Sequence, residues 1–130
     1  MAIFYKIRNF FTNKWWNLRK RCQRFKRGYA WVDVWNMCDW FINTNKPMLE
    51  HLLYTHQGYP CGIDNKEWEA ILQEMIDCLT LMDENKAQEY LNISDDDYSA
   101  ESRNRVDELT KEKKNRFFEL FSEWFYCLWD

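Results

Sequence analysis

Apolar residues open the chain at Phe4, Ile7, Phe11, Trp15, Leu18, Cys22, Phe25 and Tyr29, each three or four positions after the last. That spacing holds one stripe on one side of a helix for about seven turns, and it predicts a helix over roughly 3–27 with Gly28 as its stop. The steps come close to a heptad seam, so a partner helix is expected, from this chain or from another copy. Residues 33–42 carry Trp35, Met37, Cys38, Trp40, Phe41 and Ile42 on nearly every side, which predicts a short buried helix with Asp33 as its N-cap. Asn43-Thr44-Asn45-Lys46-Pro47 reads as a break, after which Asn45 caps a helix through Leu49, Leu52 and Leu53 to about Gly58. Gly58-Tyr59-Pro60-Cys61-Gly62 is a loop. Asp64-x-x-Glu67 then forms a capping box, opening a helix with the face Trp68, Ile71, Leu72, Met75, Ile76, Leu79 and Met82. The pattern fades after Asp83 and resumes in a last helix over about 97–128, striped by Val106, Leu109, Phe117, Leu120 or Phe121, Trp124 and Leu128 and interrupted at Lys113. The charged upstream half of that helix is expected to be exposed and its aromatic end buried.

These elements describe an all-α fold, a compact bundle of about four or five helices with a long basic first helix and a long last one. At 130 residues one domain is expected: 1–28 a basic amphipathic helix, 29–91 a Trp-rich helical core, 92–99 an acidic linker and 100–130 the C-terminal helix. Composition agrees, because 46% hydrophobic residues argue against disorder, while 3 Gly and 2 Pro are too few for the many turns of an all-β chain.

Charge changes the picture more. Residues 1–30 hold nine bases (Lys6, Arg8, Lys14, Arg19, Lys20, Arg21, Arg24, Lys26, Arg27) and no acid, whereas the remaining hundred hold nine bases against all 21 acids, a balance of −12. Either a basic arm meets an anionic partner, or two oppositely charged parts of the same molecule meet, the plainer of the two. Five cysteines at irregular spacings, without a CxxC and mostly among apolar neighbours, suggest free, buried thiols in a reducing compartment. No apolar run supports a secretory signal or a transmembrane segment. The basic, acid-free start shares features with an organellar transit peptide, but its aromatic load and its continuation into the next segment argue against removal.

Catalytic chemistry is sparse. His51 and His56 lie about 140° apart on a helix and share no face. A Cys61–His56 pair is conceivable only from closeness in the chain, and a loop thiol beside a surface histidine is the better account. No four-ligand zinc spacing, no phosphate-binding glycine loop and no EF-hand around Asp95-Asp96-Asp97 is present. No enzyme activity, metal or cofactor is expected. One region mixes cations with rings: Arg21, Arg24 and Arg27 lead into Tyr29, Trp31 and Trp35, and Tyr59 sits on the later loop. Cations grip phosphate and rings stack on bases, so these seven residues are the candidate site for a nucleotide-like anion. The plainer alternative is a Trp-lined core with a solvated basic face. Duplex nucleic acid is disfavoured by the absence of a helix-turn-helix pattern and by the acidity of the rest. A membrane-surface role for the first helix is open.

From Arg27 to Met82 the order Arg27-Gly28-Tyr29, Asp33-Val34-Trp35, Leu49/Leu52/Leu53, Gly58-Tyr59-Pro60, Trp68 between Glu67 and Glu69, and Ile71-Leu72 with Met75-Ile76 resembles a pattern in small uncharacterised proteins of tailed bacteriophages. It departs at Ala30, where serine is expected, and in the aromatic load at both ends. The resemblance covers under half the chain and brings no activity with it. It implies a setting: an accessory protein in the host bacterial cytoplasm that antagonises host defence by sequestering a nucleotide signal or by binding a host defence protein. The alternative is an oligomeric structural component of phage assembly. In either case a homo-oligomer is expected, joined through Phe4, Phe11, Trp15, Leu18, Phe117, Phe121 and Trp124, because leaving such side chains in water forgoes roughly 1.5–3 kcal/mol each.

Overall fold

A computed structural model describes residues 2–94, 96 and 99–129, with residues 2–11 described by their backbone alone. The described residues form five α-helices and no strand, as the hydrophobic periodicity requires: α1 (Ala2–Arg27), α2 (Met37–Thr55), α3 (Asn65–Leu81), α4 (Glu84–Tyr90) and α5 (Ala100–Trp124). Short 3₁₀ turns occupy Trp31–Val34 and Phe125–Cys127. One domain is the expectation from length; the contacts instead divide the chain into two units, 1–40 and 41–130, with the boundary inside α2.

The second unit is organised around α3. Its buried residues Trp68, Leu72, Met75, Ile76, Cys78 and Leu79 recur at helical spacing, and they meet Leu49 of α2 and Phe117 and Leu120 of α5. The capping box starts α3 as its sequence predicts: Asp64 Oδ1 accepts from the Glu67 N–H at 2.8 Å, and Glu67 Oε2 accepts from the Asp64 N–H at 2.9 Å. Rings finish the core, with Phe117 stacked on Phe121 (5.3 Å between centroids), Phe41 edge-on to Phe117 (5.9 Å) and Trp68 edge-on to Trp124 (5.7 Å). At its rim Arg116 of α5 donates to both carboxylate oxygens of Glu74 on α3, at 2.6 and 3.2 Å.

Three sequence expectations change here. The break at 43–47 is absent, and α2 runs through Pro47. Pro47 has no N–H for the carbonyl four residues earlier, but both lie at the exposed side, and Asn45 uses its side-chain amide on the Phe41 carbonyl (2.9 Å) instead of capping a new helix. Phe41 and Ile42 upstream of the proline and Leu49, Leu52 and Leu53 downstream pack on the same core, so a continuous helix buries more than a broken one. Where the pattern fades after Asp83, a separate helix forms. Asp83 accepts from the Lys86 N–H (3.1 Å), Ala87 is fully buried, and Asn92 at φ 55° turns the chain away. Finally, Phe117, expected at an oligomer interface, is fully buried in the chain's own core, and Phe121 and Trp124 pack against that core as partly buried side chains. The aromatic C-terminal end is expected to be buried; α2 and α3 cover Phe117 and Leu120 and part of Phe121 and Trp124, whereas Phe118, Phe125, Tyr126 and Trp129 stay exposed. Phe4 and Phe11 lie outside the residues whose side chains are described; Trp15 and Leu18 are exposed.

The first unit comprises α1, the turn after it and the start of α2. Gly28, at φ 79°, stops α1 by adopting the left-handed conformation, and its N–H returns to the Arg24 carbonyl at 2.8 Å. Ala30 is its one buried residue among those described.

Candidate anion-binding site

The turn after Gly28 is held back onto α1 by a polar knot around Asp33. Arg24 donates through Nε to Asp33 Oδ2 (3.0 Å) and through Nη2 to Oδ1 (2.7 Å), a bidentate ion pair. Asp33 Oδ2 also accepts from the Ala30 N–H at 2.7 Å, and the Asp33 N–H donates to the Ala30 carbonyl at 3.0 Å. The Arg24 guanidinium and the Ala30 amide hold the Asp33 carboxyl below its ordinary value, with Lys20 adding a smaller pull. The same contact raises Arg24. Gln23, one position before Arg24, accepts from the Trp31 N–H at 3.0 Å, and the Trp31 ring lies 6.2 Å from that of Trp16. Trp16 and Gln23 are seven residues apart, two turns along one face, so a single side of α1 receives the turn.

Around this knot the rings and cations stay accessible. Arg27 lies over the Tyr29 ring (5.1 Å) and Arg19 over the Trp16 ring (5.9 Å). Tyr29 and Trp31 are about two-fifths exposed, and Trp35 is 82% exposed. An open hollow of about 370 Å³ is lined by Arg19, Cys22, Gln23, Lys26 and Arg27. Three cations facing one concavity, with rings beside them, can hold a phosphate-bearing group.

Of the seven residues the sequence singles out, Arg27, Tyr29 and Trp31 share this neighbourhood. Arg21 and Trp35 are exposed on the same unit. Arg24 is a correction: Asp33 occupies its guanidinium, so it builds the turn and is not open to a ligand. Asp33 is corrected with it, since it sits inside the 3₁₀ turn and does not cap a helix. Tyr59 belongs to the second unit, where it lines a hollow of about 150 Å³ with Pro60, Trp68 and Trp129. Arg19 and Lys26 belong to the same interleaved stretch of cations and rings but fall outside the seven, and Gln23 was missed altogether. The signal for Gln23 was its place seven residues after Trp16, on the same face of the helix.

The second unit holds a larger open groove, about 880 Å³, between α2 (Pro47, Met48, His51, Leu52) and the C-terminal segment (Phe121, Phe125, Leu128). Its lining is mostly apolar, with His51 the titratable group. His56 is placed otherwise: its Nδ1 lies 3.1 Å from the Gly58 carbonyl and its Nε2 3.6 Å from Glu69. Both nitrogens therefore face partners other than Cys61. Among the described residues no group of three or more His, Cys, Asp or Glu could hold a metal ion. No helix among them is long and apolar enough to cross a membrane.

Comparison with protein-family models, with curated proteins and with solved structures finds no match to this chain.

Proposed function

We propose that this chain is a non-catalytic binding protein that takes a nucleotide-type anion on the first unit, with Arg19, Lys26 and Arg27 meeting phosphate and Tyr29, Trp31 and Trp35 meeting the base. The observation that carries it is the Arg24–Asp33 ion pair, which pins the ring-bearing turn beside the cation-lined hollow and so fixes rings and cations in one place before any ligand arrives. The resemblance of residues 27–82 to small tailed-phage proteins supports a setting for that binding: an accessory protein in the host bacterial cytoplasm that antagonises defence by sequestering a nucleotide signal or by engaging a defence protein. The alternative, an oligomeric assembly component, draws support from exposed Trp15 and Leu18 but loses Phe117, which the core contains.

Tryptophan fluorescence titration of the full chain with cyclic di-AMP and with ATP tests the proposal. Saturable quenching by one of them is expected, weakened about tenfold in Arg27→Ala and again in Trp35→Ala, since stacking on one ring contributes ~1–3 kcal/mol per base. No quenching by either probe, or equal affinity in both variants, defeats it.

A further inference from the structure

The face of α1 opposite the turn has no occupant within its own unit. Trp15, Leu18, Cys22 and Phe25 follow at steps of three, four and three, and all are exposed: Trp15 by 68%, Leu18 by 53% and Phe25 by 93%. Trp16, Gln23 and Arg24, which receive the turn, lie on roughly the opposite side at about 100° per residue. Packing of the turn therefore leaves the apolar stripe open. On the same wheel Lys14 and Arg21 border the stripe on one flank and Arg19 and Lys26 on the other. No acid occurs anywhere in the helix.

We infer that α1 docks along its Trp15–Leu18–Phe25 stripe on an anionic lipid bilayer, lying in the plane of the headgroups. This goes beyond the nucleotide reading and uses the adjoining apolar face of the helix, which shares Cys22 and the flanking Arg19 and Lys26 with the hollow. An apolar stripe bordered by cations asks for two things together, an apolar phase and negative charge. The boundary between headgroups and acyl chains of an anionic bilayer supplies both. A second copy of α1 would cover the stripe, but it would bring the flanking cations of two acid-free helices against each other, where a paired coil places opposite charges. A nucleic acid supplies phosphate yet leaves Leu18 and Phe25 in water. Aromatic rings suit the interfacial depth, and α1, not apolar enough to span, lies flat over a length of roughly 39 Å at 1.5 Å per residue. The second unit, with nine bases against nineteen acids in residues 41–130, gains nothing from an anionic surface, so α1 carries the binding.

Flotation of the full chain with unilamellar vesicles is the test, using phosphatidylcholine alone and phosphatidylcholine mixed with phosphatidylglycerol. The chain is expected to float with the phosphatidylglycerol vesicles, to dissociate at high salt, and to show a blue-shifted tryptophan emission when bound. The double variant Leu18→Ser/Phe25→Ser is expected to lose at least about tenfold in binding, since two apolar side chains leave the interface. Its thermal melt should match the parent, because both residues are exposed, and its nucleotide affinity should be unchanged. The inference is overturned if the parent floats with neither vesicle, if the double variant binds as tightly as the parent, or if sedimentation shows the parent self-associating through this stripe without any vesicle binding.

Discussion

The two units hold tryptophan in unequal shares and use it in opposite ways. Five of the eight lie in residues 1–40, yet among the described residues of that unit Ala30 alone is buried, and Trp15 and Trp35 stand mostly in solvent. The second unit has three, and one of them, Trp68, sits at the centre of a core with Phe117, Leu72, Met75 and Leu79. Aromatic content alone therefore does not make a core. In the second unit three helices bring their apolar faces to one place, so that Phe41, Phe117, Phe121, Trp68 and Trp124 meet one another's rings there. In the first, a single helix and a short turn offer too little surface to enclose anything, and charge-assisted hydrogen bonds hold the turn. One unit is held by what it removes from water, whereas the turn of the other is held by an ion pair and a few hydrogen bonds, each worth little in water.

The sharpest break in this comparison is a paired substitution. Trp68→Ala should lower the unfolding free energy by about 3–5 kcal/mol through the lost burial and the cavity left behind. Phe25→Ser should leave it within ~0.5 kcal/mol. Urea denaturation followed by far-ultraviolet circular dichroism measures both, and comparable losses would mean that the first unit has a core of its own. Removing the cap of α3 comes next: Asp64→Ala should cost about 1 kcal/mol in the same assay, since the Glu67 amide loses its acceptor.

Smaller and confined to the first unit is Asp33→Asn. The Arg24 side chain is half exposed, so solvent screening leaves roughly 0.5–1 kcal/mol for the pair. Hydrogen exchange at the Ala30 and Trp31 amides should quicken while the amides of α3 keep their protection. Acid sharpens the same contrast. Arg24 holds Asp33, and Arg116 holds Glu74, below the ordinary carboxylate range. The stabilisation is therefore complete above the unfolded-state value of about 4 and is lost as pH falls through the lowered folded-state values. Between pH 7 and pH 3 the turn amides should lose protection first, because apolar burial still holds the second unit. Last is a chemical readout with little effect on stability. Cys22, Cys38 and Cys61 are exposed and should alkylate in the native protein, whereas Cys78, buried and with its thiol pushed up by desolvation, should react only on unfolding.

Much of the fold was legible in the residues. The α1 spacing, the Gly28 stop, the Asp64–Glu67 box and the α3 face from Trp68 to Leu79 are local patterns, and the structure realises each as its spacing requires. The errors cluster where a distant contact overrides local chemistry. Asn45 and Pro47 read as a helix start, yet core packing on both sides carries α2 through them. Arg24 read as a free cation beside Arg21 and Arg27; which of the three meets Asp33 depends on how the chain turns back, and no spacing rule selects it. The cation-lined hollow was half legible, through Arg27, Tyr29 and Trp31.

Helical periodicity, caps, the acid-free start and the split of charge between the two ends are properties of neighbouring residues, so the sequence by itself determined them. Which rings were enclosed and which stayed in water was decided only by the tertiary structure. Burial needs surfaces from several elements to meet, and the rings at the two ends of the chain look equally apolar until α2 and α3 enclose Phe117.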